Sequence, residues 1–169
     1  MAESVETVYL TEVVRLLRQY KQLAERAVAQ AGPEAAFRAT DAEANSIAVL
    51  LKHLAGNMRS RWTDFLTTDG EKPDRNRDAE FELEPGTTLD DVMAWWEDGW
   101  LRTFAALEAL GAGDLLREVH IGAKPLSVLQ AIERQLAHYA YHVGQIVLLA
   151  KQARGAEWET LSVPRRRRP

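Results

Sequence analysis

Residues 134–151 read RQLAHYAYHVGQIVLLAK. Leu136, Ala140, Val143 and Val147 recur at three- and four-residue steps, the period of an α-helix with one buried face rather than the alternation of a strand. The same stripe begins upstream with Leu129 and Ile132, so a helix is expected over about residues 126–154. Pro125 precedes it, Ser127 and Gln130 have capping-box spacing, and Gly155 supplies a stop.

Three other segments carry the same period. Over 4–31 the stripe is Val5, Tyr9, Val13, Leu16, Tyr20, Leu23 and Ala27, ended by Gly32-Pro33. Over 45–66 it is Ile47, Leu50, Leu54, Met58, Trp62 and Phe65, with Asn45 or Ser46 as cap. Over 89–110 it is Leu89, Val92, Met93, Trp96, Trp100, Phe104, Leu107 and Leu110, with Thr87 or Thr88 as cap and Gly111 as stop. Asp90 and Asp91 in the first turn of that segment suit the positive end of the helix dipole. No strand alternation competes, so the expected fold is all-α, a four-helix bundle. Its domain spans 1–164, followed by a basic disordered tail over 165–169. The polar link 67–87 between helices two and three is long for a compact domain, and such links serve as lids or crossovers. LREVHIGAKP, within 111–125, reads as a short extended piece.

Composition removes several classes of function. The 169 residues include no cysteine and four histidines. Thiolate zinc fingers, Fe–S clusters, disulfides and a cysteine nucleophile are therefore excluded. Four of the 21 basic residues are Arg165 to Arg168, which leaves 17 basic against 25 acidic residues over 1–164, a net of −8. An acidic body argues against nucleic-acid binding. No apolar run approaches membrane-spanning length, and MAESVETVYL lacks the basic start of a signal peptide. A cytoplasmic protein is expected.

His138 and His142 stand four apart on the fourth helix, with Cβ atoms about 6 Å apart, close enough to share a metal ion. His53 lies between Leu50 and Leu54 and faces inward. Three imidazoles so placed suit Zn²⁺, Ni²⁺ or Fe²⁺ and leave a coordination position open. A pair of surface histidines and a core His53 bonded to a carbonyl read the same residues without a metal. His120 is read as a surface loop residue. Trp96 and Trp100 are expected in the core and off-stripe Trp95 at a subunit contact. Any thiol chemistry needs a thiol from outside the chain.

The stretch HLAGNMRSRWTDFLTTDGEKPDRNRDAEFE (53–82), RQLAHYAYHVGQIVLLAK and the W-x-x-L-S-V-P ending (158–164) together resemble the DinB-like superfamily, in a branch of unknown function. The resemblance spans nearly the whole chain. It implies a four-helix bundle with unusual connectivity, commonly a homodimer, and a divalent metal on His53, His138 and His142. It also implies a metal-dependent transferase that joins a low-molecular-weight thiol to an electrophile, or a hydrolase, acting on a small molecule. Asn57, Arg61 and Gln145 are the candidates for orienting substrate, with a surface salt bridge for Arg61 and a hydrogen bond to a ligand histidine for Gln145 as alternatives. A non-catalytic, dimeric, stress-related metal-binding protein is the other class. A carboxylate ligand from the 67–87 link would favour it.

Overall fold

The computed structural model describes residues 3–164. The expected Arg165–Arg168 tail lies outside them. Helix α1 covers Val5–Ala36, α2 Ile47–Trp62, α3 Leu89–Glu108 and α4 Val128–Arg154. Strands β1 (Glu118–Ile121) and β2 (Lys124–Ser127) form an antiparallel hairpin just before α4. The chain is thus mostly helical, with a two-stranded sheet that the expected all-α class omits.

Side-chain caps set the helix starts. Ser46 Oγ accepts from Val49 N at 3.2 Å. Thr88 and Asp91 close a capping box on α3, as do Ser127 and Gln130 on α4. Each cap satisfies backbone N–H groups that the first turn leaves without partners. The box at Ser127 also explains why α4 starts at Val128 and not at 126: Leu126 is still paired with Val119 in the hairpin.

Two helix ends differ from the periodic reading. Gly32 breaks α1 with φ 78°, as Gly32-Pro33 predicts, but the chain makes a further helical turn over 33–36. Proline is compatible with that new first turn, where no N–H is required. Helix α2 ends at Trp62, four residues before the expected end, because Thr63 is extended and Asp64 adopts φ 50°. Phe65 is buried all the same, its ring 4.8 Å from that of Trp62, so the apolar spacing outlasts the helix.

Helix α2 lies along α3 and α1 along α4, and thinner contacts join α1 to α3 and α2 to α4. The consecutive helices α1 and α2 therefore lie across the core from each other, as do α3 and α4, while α2 and α3 pack side by side and α2 and α4 become neighbours. Trp96 and Trp100 are wholly buried, as expected, with rings 5.4 Å apart. Trp95 is 40% exposed, under the Lys52 ammonium. At the α2–α4 seam Trp62 Nε1 donates to Tyr139 Oη at 2.9 Å, and Tyr139 Oη donates to Asn57 Oδ1 at 3.2 Å. No helix is long and apolar enough to cross a membrane among the described residues.

The 67–87 link is tied down at both ends. Asp69 accepts from Gly122 N and Ala123 N, each at 2.7 Å, at the tip of the hairpin. Both turn residues have positive φ, 62° and 61°, the geometry of a two-residue hairpin loop. Ala123 has no glycine-like freedom there, so Asp69 holds a turn that the alanine disfavours. Gly70 N donates to His120 O, and Ser60 Oγ donates to Gly70 O. The link then forms a short 3₁₀ turn, Asp78–Phe81, against α2.

The backbone N–H groups of Glu71 and Ala123 hold the Asp69 carboxyl at about 2, below its ordinary value. A depressed folded-state pKa adds stability above the ordinary carboxylate pKa, and that stability disappears as pH falls through the folded value. Asp69→Asn is therefore expected to cost about 1 kcal/mol at neutral pH. Urea denaturation should show the gap from the parent shrinking between about pH 4 and pH 2. A pH-independent gap contradicts the assignment.

Candidate metal centre

His53 is in the second turn of α2, and His138 and His142 are on successive turns of α4. The packing of α2 beside α4 brings all three together: each offers one ring nitrogen, and these lie within 4.8 Å of one another. His53 and His142 are buried and His138 is half-buried. His120, by contrast, stands exposed on β1 beside Glu118, on a strand and not in a loop, and is outside the cluster.

Hydrogen bonds on the far nitrogens orient two of the rings. His53 Nδ1 donates to Glu80 Oε2 at 2.9 Å, and His142 Nδ1 donates to Gln145 Oε1 at 2.7 Å. Each leaves Nε2 with its lone pair. His53 Nε2 sits 3.3 Å from His138 Nε2. His142 Nε2 is buried with no hydrogen-bond partner among the described residues. Bonds of about 2.0–2.1 Å to a tetrahedral ion set nitrogen pairs about 3.3 Å apart. The orphaned Nε2 and that spacing make the three residues a fitting donor set for a divalent cation.

Electrostatics keeps these donors available. Burial, reinforced by His142 and His53 and then by Arg61 and Arg75, pushes His138 down to about 3. Burial likewise takes His142 down to about 4 against the opposing bond from Gln145. Both are neutral at pH 7, the form that ligates metal. Phe81 of the link stacks on the His53 ring at 4.5 Å.

Sequence reasoning missed Glu80 and Arg75. Glu80 is 6% exposed, and burial alone would raise its pKa. The bonds from His53 and from Arg75 prevail and lower it, so Glu80 stays a carboxylate. Arg75 grips it with a fork, Nε to Oε1 at 2.7 Å and Nη2 to Oε2 at 2.8 Å. Read as sequence, both residues belong to a polar link. One signal was present: Gly56, a residue that costs about 1 kcal/mol inside a helix and so calls for a packing reason. A Cβ at Gly56 would stand 2.7 Å from Glu80 Cδ, so the glycine makes room for the carboxylate.

The orienting candidates fall at different places. Gln145 bonds His142, the alternative considered for it. Asn57 is buried under Tyr139 Oη. Arg61 is 7% exposed, donating to Gly70 O and, at 2.9 Å, to Glu71. Its ion pair is thus buried on the arginine side and not a surface bridge, because the link folds over it.

About one divalent ion per chain is expected after reconstitution, measured by elemental analysis. His142→Ala should lose it at least ten-fold, and Glu80→Gln should weaken metal affinity about 10- to 100-fold by releasing His53. Gly56→Ala should reproduce the Glu80 defect by displacing the carboxylate. Unchanged metal content in His142→Ala contradicts the site.

No curated protein and no solved structure matches the chain. A family model described as "Protein of unknown function (DUF1572)" matches residues 4–167. With nearly its whole length matched, the chain belongs to this family of unknown function.

Proposed function

We propose that this protein is a metal-dependent enzyme with the four-helix bundle of the DinB-like superfamily, acting on a small molecule. Its reaction is transfer of a low-molecular-weight thiol to an electrophile or, by the same activation of water, hydrolysis. His53, His138 and His142 hold the ion, for which zinc, nickel and iron all suit imidazole donors. A homodimer and a cytoplasmic setting, where small thiols stay reduced, belong to the same proposal.

One observation carries this reading over a closed structural site. The carboxylate that the link contributes, Glu80, is spent on the far nitrogen of His53 and is not among the clustered donors. Three ring nitrogens therefore face a cavity of about 540 Å³, a volume suited to a small-molecule ligand. A bound divalent ion with an open position supplies Lewis-acid activation of a thiol or water. Around it, Gln145 fixes the tautomer of His142, and Glu80 fixes that of His53. Arg61 binds the link to α2 through Gly70 and Glu71 and so shapes the cavity wall. Asn57, oriented by Tyr139 Oη, is one amide beside the substrate.

The metal-loaded protein is expected to consume a glutathione-, bacillithiol- or mycothiol-type thiol when an electrophile is present, or to cleave a member of an amide and ester panel. His138→Ala should reduce that turnover at least 100-fold while the fold, followed by circular dichroism, persists. Absence of turnover across every thiol, electrophile, amide and ester favours the non-catalytic metal-binding protein.

A further inference from the structure

Gln135 lies one turn before His138 on α4, on the same face, and lines the metal cavity. It is 3% exposed, yet its side-chain oxygen has no hydrogen-bond partner among the described residues. Its amide nitrogen makes no bond to them either, so exchanging the two ends of the carboxamide leaves the same vacancy. A buried polar group without a partner is rare, because burial strips its water and returns nothing. Such a group beside a metal site is a group kept for a ligand.

Charge supplies the second half of the subsite. The cavity lining includes four arginines, Arg61, Arg75, Arg77 and Arg134, against one carboxylate, Glu71. This concentration sits in a body with 17 basic and 25 acidic residues, so general composition does not account for it. Arg61 and Arg75 both bind Glu71, which neutralises that carboxylate. Arg77, from the link, and Arg134, from α4, have no carboxylate partner among the described residues. The Arg77 guanidinium instead rests 5.3 Å from the Phe81 ring, the ring that stacks on His53.

We propose that Gln135, Arg77 and Arg134 form the substrate-recognition subsite of the metal cavity, selecting a small molecule that carries a carboxylate beside a hydrogen-bonding amide. The proposal rests on the metal-centre reading only for where the reacting atom sits. The carboxylate pairs with the two free guanidiniums, and the amide N–H donates to Gln135 Oε1. Arginine suits this role because its planar fork matches the two oxygens of a carboxylate. Arg77 stands on the link and Arg134 on α4, so the ligand bridges the two walls of the cavity.

The test is direct binding to the metal-loaded protein by calorimetry, with two matched pairs of probes. One pair is N-acetylcysteine and its primary amide, and the other is N-acetylalanine and its primary amide. In each pair the acid should bind at least ten-fold tighter, and the preference should shrink as salt rises. Arg77→Met with Arg134→Met should abolish the preference, while Gln135→Leu should weaken both members of a pair about ten-fold. Metal content should stay unchanged in all these variants, which separates loss of the subsite from loss of the ion. A preference for the acid in the alanine pair, with no added affinity from sulfur, supports the subsite and overturns the thiol reading. Equal affinity for acid and amide in both pairs, or a preference that survives the double variant, overturns the subsite.

Discussion

The Glu80 carboxylate, held between His53 Nδ1 and the Arg75 fork, is the contact on which the rest of the site depends. A carboxylate this deeply buried stays ionised only because two partners favour its charge over the neutral acid. Ionised, it accepts the Nδ1 proton of His53 and turns the Nε2 lone pair toward the other two rings. Through Arg75 and Glu71 the same pairing reaches Arg61 and Gly70, so one network fixes both a ligand histidine and the segment that walls the cavity. Removing one member of a buried pair leaves an uncompensated charge, which gives the network an all-or-none character.

Packing makes room for that network. Gly56 opens the surface of α2 where the carboxylate passes, and Phe81 closes over the His53 ring. At its other end the link is fastened through Asp69 to the hairpin tip and through Gly70 to Ser60 of α2. Below the histidines the chain Trp62–Tyr139–Asn57 joins α2 to α4 with buried hydrogen bonds. The histidine cluster therefore rests on a hydrogen-bonded seam on one side and on a pinned link on the other. Between them lies the cavity that Gln135, Arg77 and Arg134 line.

Much of the helical framework was legible in the sequence because a helix repeats its buried face every 3.6 residues, and Trp96, Trp100, Ile132 and Val143 keep that period. Capping chemistry is equally local, so Ser127 with Gln130 was readable from spacing alone, whereas the structure chose Thr88 over Thr87 and paired it with Asp91. The end of α2 was less so: Phe65 continues the apolar period although the backbone has already turned at Thr63 and Asp64. The hairpin showed only as an extended piece, since four-residue strands are too short for a clear alternation. Tertiary pairing of Val119 with Leu126 decided that Leu126 is strand rather than helix.

The candidate site divides in the same way. By itself the sequence determined the inward position of His53, the one-turn spacing of His138 and His142, and the absence of any cysteine ligand, because helix period and composition are properties of the chain alone. Only the tertiary structure decided that the three rings share one space, since that requires α2 beside α4, an arrangement set by contacts distant in sequence. It alone decided that Glu80 binds the outer nitrogen of His53, that Arg61 is buried and that Gln135 is unpaired. The physical reason is that helix period places Arg61 and Gln135 on a face without naming their partners, and Glu80, in the link, has no period at all. Its environment exists only once the link has folded back onto the helices.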